Sequence, residues 1–142
     1  MKKRKLNLDT PYDFVLLGLV CGKKEHQLAW HLNQLRGLHF VKEKDINISF
    51  KNDTTIKVSN YITKTEFYQF DLLKNRLLLS NSQKQKFLLN ELQQFDYFLK
   101  LSLQIDDFNV DQLISSLRNI PVVDYLVEID LNRVKQKDNL LY

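Results

Sequence analysis

Apolar and polar positions follow two different periods along this chain, and the switches between them outline its elements. Residues 13–21 carry an almost continuous run rich in Val and Leu, which suits a strand buried on both faces. After Gly22, Leu28, Leu32 and Leu35 recur at helical spacing with Ala29 beside them, predicting a helix over 24–36 that Gly37 would stop. Ile46, Ile48 and Phe50 then alternate with polar residues, Asn52-Asp53 marks a turn, and Ile56 and Val58 alternate again, the pattern of a hairpin. Tyr68, Phe70 and Leu72 predict a further strand, and Leu77, Leu78 and Leu79 a short one. Residues 80–86 read as a polar loop. Over 95–105 the period of two is unbroken on one side: Phe95, Tyr97, Leu99, Leu101, Leu103 and Ile105 share a face, and Phe98 is the apolar exception on the other. Asn109 has the chemistry of an N-cap with Gln112 three residues on, and Val110, Leu113, Ile114 and Leu117 form a helical stripe. Val123, Tyr125, Val127 and Ile129 predict a last strand.

The predicted order is β-α-β-β-β-β-β-α-β. Strands outnumber helices and hairpin neighbours dominate the middle. The expectation is an α+β fold: a single antiparallel or mixed sheet with two helices packed on one face and a wetter second face. At 142 residues the chain is read as one domain, 1–142, with a basic N-terminal tail 1–5 and a C-terminal segment 131–142 packing on the body. Such a length buries roughly two thirds of the unfolded surface, so no covalent staples are needed.

Charge changes this picture little. The net charge is +4, but Lys2, Lys3, Arg4 and Lys5 supply it: removing those four from the 21 basic residues leaves 17, which matches the 17 acidic ones. The tail has three readings: a solubilising end, a contact to RNA or the ribosome, or a contact to anionic lipid. Cys21 is the single cysteine, so no internal disulfide forms, in keeping with a reducing cytoplasm. The tail followed by Phe14–Cys21 imitates a lipoprotein signal. Asp9, Pro11 and Asp13 interrupt it, Val20 stands where a small residue is needed, and the apolar run is far shorter than the roughly 20 residues that span a bilayer. It is expected to be a buried strand, with no membrane partner.

Leu89-Asn90-Glu91-Leu92-Gln93-Gln94-Phe95-Asp96-Tyr97 places an acid, three free positions, an apolar residue and Asp-Tyr ahead of the long alternating strand. This stretch resembles the signature of the IPExxxVDY family of uncharacterised bacterial proteins. The opening Lys5-Leu6-Asn7-Leu8-Asp9, the Tyr12-Asp13-Phe14 strand, the helix holding Trp30 and the closing Lys135-Gln136-Lys137-Asp138-Asn139-Leu140-Leu141-Tyr142 are similar to the family's pattern in the same order. Leu89 and Phe95 are mild departures from Ile and Val, and Asn90 replaces the Pro, which removes a rigid φ. The resemblance implies a small cytosolic bacterial protein and brings no catalytic residues with it. Glu91, Asp96 and Tyr97 are the signature residues retained.

Few constellations carry chemistry. Glu91 and Asp96 are roughly 16 Å apart on partly extended chain and meet only across a turn. The blander expectation has Glu91 holding the turn, Asp96 on the wet face and Tyr97 in the core with its hydroxyl bonded. His26 and His31 are about 140° apart around a helix, so they share no face, and with His39 they predict no metal site. Cys21 lies before a helix start, where the helix dipole could lower its pKa, or else it packs as a small hydrophobe. No Gly-rich phosphate loop is present, and no cofactor is expected. Phe67, Phe98 and Leu126 each fall on the polar alternate positions of their strands. They would form one apolar surface if those strands are neighbours, either as a contact surface or beneath Leu140, Leu141 and Tyr142 of the C-terminal segment. The resulting expectation is a cytoplasmic, non-catalytic protein-interaction module or small homo-oligomer. The alternatives are an RNA-associated factor using Lys2, Lys3, Arg4 and Lys5, and a small-molecule sensor or enzyme.

Overall fold

A computed structural model describes residues 13–49, 55–78, 85–104 and 108–142 of the chain. The basic stretch Lys2–Lys5, the turn Asn52-Asp53 and residues 80–84 of the polar loop lie outside the described residues. The elements run β1 (Val15–Val20), α1 (Glu25–Leu32), β2 (Val41–Ser49), β3 (Thr55–Lys64), β4 (Tyr68–Lys74), β5 (Arg76–Leu78), β6 (Gln85–Phe87), β7 (Tyr97–Leu103), α2 (Val110–Arg118) and β8 (Tyr125–Ile129). Six strands form one sheet in the order β2-β3-β4-β7-β1-β8, and β5 and β6 form a separate two-stranded ribbon. Every pairing among the described residues is antiparallel. This is the α+β architecture expected, one sheet with two helices.

β1 is the strand that the unbroken apolar run predicts, and the sheet shows why no polar residue interrupts it. β7 and β8 take its two edges. Leu17 and Leu19 point to the helices and Leu16 points to the opposite face, all fully buried. On the helix side, Leu28, Ala29 and Leu32 of α1 and Val110, Ile114 and Leu117 of α2 close over Phe70, Leu72, Leu99 and Leu101. α2 begins at Asn109, whose Oδ1 accepts from the Gln112 N–H at 3.0 Å. Each fully buried leucine here contributes about 2 kcal/mol of transfer free energy.

The second face departs from expectation. It is covered, not wet: Leu16, Val58, Leu73 and Phe98 lie beneath Leu77, Leu88, Leu89, Phe95, Val134 and Leu140 as a second apolar core. The ribbon and the C-terminal segment supply that cover. β6 occupies the end of a stretch that reads as a loop, because Lys and Gln give no apolar signal. Its backbone pairs Arg76 with Phe87, Leu77 with Lys86 and Leu78 with Gln85, so among the described residues six strands separate the two helices where the pattern predicts five.

Two boundaries shift for identifiable reasons. α1 ends at Leu32, not near Gly37, because the Asn33 side chain turns to the backbone of Phe40. Its Oδ1 accepts from the Phe40 N–H at 2.6 Å and its Nδ2 donates to the Phe40 carbonyl at 3.1 Å. β7 starts at Tyr97, and Phe95 is not on its face. Phe95 leaves the turn after Asn90–Leu92 and enters the second core, its ring 5.9 Å from that of Phe98.

The Phe95 ring lies against Gly18 in the middle of β1. A Cβ at Gly18 would meet three ring carbons at 2.7, 2.8 and 2.9 Å. Gly18→Ala is therefore expected to destabilise the fold by about 1–3 kcal/mol in urea denaturation, as overpacking does. The same change in a Phe95→Leu background should cost measurably less. Strictly additive costs would show that the ring does not set the requirement for glycine.

Candidate functional site

The signature residues converge on two backbone junctions. The Asp96 N–H donates to the Leu19 carbonyl at 2.8 Å, and its Oδ2 accepts from the Cys21 N–H, also at 2.8 Å. The Tyr97 hydroxyl donates to the Lys23 carbonyl at 2.6 Å. Adjacent residues thus tie down the link from β1 to α1, where the main chain leaves the sheet. Asp96 is half-buried, and its carboxylate holds a backbone N–H. Glu91 belongs to a second junction. Its Oε1 accepts from the Gln136 N–H at 2.8 Å, while the Gln136 Oε1 accepts from the Asn90 N–H at 2.6 Å. This reciprocal pair fastens the C-terminal segment to the turn ahead of β7. Glu91 and Asp96 hold different parts of the chain and form no acid pair.

Cys21 is buried, 2 % exposed, and its thiol is pushed above its ordinary value. Burial is the main cause, with the negative charges of Asp124 and Asp96 adding to it against a backbone hydrogen bond at Lys23. The dipole activation considered from the sequence is outweighed, and the residue packs as a small hydrophobe. Among the described residues no group of three or more His, Cys, Asp or Glu side chains could hold a metal ion, and no helix is long and apolar enough to cross a membrane.

A polar cluster unanticipated from the sequence lies on the second face. Asp71 and Lys100 stand opposite each other on β4 and β7. Asp71 is 3 % exposed; its Oδ1 accepts from the Gln69 Nε2 at 3.0 Å and its Oδ2 from the Tyr142 hydroxyl. The Lys100 Nζ donates to the Leu140 carbonyl at 2.6 Å and lies 4.3 Å from the ring centre of Tyr142 and 4.8 Å from that of Phe14. Burial lowers the Lys100 pKa, and Asp71 opposes that shift. The Asn139 Nδ2 donates to the Leu88 carbonyl at 2.8 Å. These groups pin residues 136–142 across the sheet, and the sequence could not reveal them without the register of β4 on β7.

The three apolar side chains proposed as one surface do not share one. Phe98 is fully buried in the second core, Leu126 is 2 % exposed in the helix-side core, and Phe67 is exposed beside the β3–β4 turn. The error lies in equating polar alternation with a common side. Leu126 pairs with Leu19 and Phe98 with Gly18, adjacent residues of β1 that face opposite ways.

The surface that remains is defined by the two sheet edges. β2 is guarded: Lys42, Glu43, Lys44 and Asp45 are exposed along it, and its register shifts between Glu43 and Ile46. β8 has a single charged residue, Glu128, and exposes the Tyr125 side chain, 55 % accessible. Its strand partner among the described residues is β1 alone. From α2, Arg118 reaches this edge, its Nε donating to the Leu126 carbonyl at 3.2 Å. A cavity of about 490 Å³ opens nearby at the ends of β7, β1 and β8, walled by residues that include Leu103, Ile129 and Leu131. Arg118, Tyr125 and Glu128 were not singled out from the sequence. The available signal was a short last strand with one charge, and its use depended on knowing that β8 is an edge.

No family model, curated protein or solved structure matches this chain.

Tyr97 and Tyr142 are both held above the ordinary phenol pKa, mainly by burial, with nearby negative charge adding to it. Above pH of about 10 the unfolded chain releases phenolic protons that the folded chain retains, so stability must fall as pH rises. Lys100 has the opposite sign: its lowered pKa makes its contribution improve as pH rises toward the ordinary lysine value. Tyr97→Phe is expected to cost about 1 kcal/mol near neutrality and to flatten the alkaline loss, read as urea midpoints against pH. An unchanged alkaline slope would remove Tyr97 from the explanation.

Proposed function

We propose that this chain is a cytoplasmic, non-catalytic protein-interaction module, and that its contact surface is the outer edge of β8. One observation carries the reading. The sheet defends one edge with exposed charges and a register shift and leaves the other short, largely uncharged and marked by an exposed tyrosine. A partner strand added there would gain main-chain hydrogen bonds and bury the Tyr125 ring. The side chains with reactive potential support the same reading. Glu91, Asp96 and Tyr97 hold the chain's own backbone, and Lys100 and Asp71 hold its C-terminal segment. The cytoplasmic setting rests on the single buried cysteine and on the resemblance to the IPExxxVDY family.

The test is capture on the immobilised full chain from the native host, with and without nuclease, beside a Tyr125→Lys variant. A stoichiometric, nuclease-resistant protein retained by the wild type and lost by the variant is the expected result. Retention of nuclease-sensitive RNA or ribosomal proteins, lost on deleting residues 1–5, would overturn it in favour of an RNA contact through Lys2–Lys5. Retention unaffected by Tyr125→Lys would remove β8 from the assignment.

A further inference from the structure

Glu25 is the only acidic residue between Gly22 and Gly37, and it is turned inward. Its Oε1 accepts from the Ser59 hydroxyl at 2.6 Å, and its Oε2 is buried. This bond sets the first turn of α1 on β3. Lys57, two residues before Ser59 and so on the same face of the strand, stands exposed beside it. The solvent side of α1 is thereby left to cations: Lys23 and Lys24 at its start, Lys57 from β3, and the imidazoles of His26 and His31. Among the described residues Lys23, Lys24 and Lys57 make no ion pair. The acids nearby in the chain are engaged: Asp45 with Lys42 at 3.1 Å, and the Asp96 carboxylate with the Cys21 N–H. Asp124, exposed where its N–H bonds the Val20 carbonyl, offsets part of the Lys23 charge.

Trp30 stands among these cations. Leu28, Ala29 and Leu32 take the core side of α1, and at roughly 100° per residue Trp30 falls on the far side, one turn after His26. It is 60 % exposed, the most exposed large hydrophobic side chain among the described residues. His31 meets it at a right angle, ring centres 5.0 Å apart, so at least one face of the indole carries no ring of the described chain. An exposed flat ring flanked by cations is complementary to an anionic chain that carries unstacked rings: base meets indole and phosphate meets ammonium. A duplex keeps its base faces inside, and an acidic peptide offers charge without rings. A lipid surface calls for several apolar side chains on one face, whereas His26, Gln27 and Gln34 around Trp30 are polar.

We infer that the outward face of α1 binds single-stranded nucleic acid, with a base stacked on Trp30 and the neighbouring phosphates held by Lys23, Lys24 and Lys57. The contact uses neither β8 nor residues 1–5.

Trp30 is the chain's only tryptophan, so its fluorescence reports the stacking directly. The experiment titrates the full chain with a short single-stranded oligouridine, and with the same oligomer as a duplex, polyglutamate and anionic phospholipid vesicles. Oligouridine should quench Trp30 saturably and the other three should not. Three phosphate contacts on a single strand give a log–log salt slope of about −2. Read by anisotropy of labelled oligouridine, Trp30→Ala should weaken binding about tenfold, and Lys24→Glu with Lys57→Glu by at least as much. Circular dichroism confirms that each variant is folded. Tyr125→Lys and deletion of residues 1–5 should both leave the quenching in place. Absent quenching, equal quenching by duplex, polyglutamate or vesicles, or binding that survives Trp30→Ala and is lost with residues 1–5 would each overturn the inference. None of these outcomes bears on β8, whose test is the protein captured through Tyr125.

Discussion

β1 has no side in water. β7 and β8 occupy its two edges, the helices lie over Leu17 and Leu19, and the second core closes on Leu16. A strand enclosed in this way must satisfy every main-chain donor and acceptor along its length and can carry no side chain that needs solvent. The composition of residues 15–20 follows, and so does Gly18, since the Phe95 ring from the other core reaches the β1 backbone itself. The two cores are thus built on opposite faces of the same strand, and an error of one residue in its register would exchange their contents.

The difficulty of such a strand lies at its end, where the chain must leave the sheet while its last backbone groups remain buried. Asp96 and Tyr97 resolve it. The main-chain N–H of Asp96 takes the Leu19 carbonyl, and its carboxylate takes the Cys21 N–H after the two backbones have diverged. Tyr97 reaches two residues further to the Lys23 carbonyl. A neutral acceptor in place of the Asp96 carboxylate would make a weaker bond, because hydrogen bonds to charged groups are roughly twice as strong. Glu91 repeats the device for the C-terminal segment. The signature residues thus have a full physical account as anchors.

The strongly periodic parts of the chain were legible. The apolar run of β1, the alternation of β7 and the stripe of α2 each reflect one side chain after another meeting the same surface, and local pattern records that directly. What was lost depended on pairing between distant segments. Whether Phe98 and Leu126 face the same way is decided by the register of β7 and β8 on β1, which their own sequences do not encode. The Asp71–Lys100 pair is invisible until β4 is placed beside β7. β6 was hidden for a different reason: a two-stranded ribbon can hold polar residues on backbone pairing alone, so residues 85–87 carry no apolar period. The early end of α1 likewise came from Asn33 bonding to Phe40, seven residues on, instead of from Gly37.

The strand order also explains why the two edges differ. β2, β3 and β4 are successive in sequence and pair as a meander, so local hairpins establish that side of the sheet and its outer strand can be decorated with charge at no cost to the core. The other side is built from non-local pairings, β1 with β7 and β1 with β8. Such pairings must overcome loop-closure entropy before any contact rewards them. β8 therefore needs apolar residues on both its faces to bind at all: Leu126 toward the helices and Val127 and Ile129 toward the second core. A five-residue strand that meets this demand has one position left for a charge, Glu128, and one large side chain, Tyr125, that stays exposed among the described residues. The same packing requirement that secures β8 to β1 fixes which of its side chains face each core, and among the described residues β1 is its one strand partner.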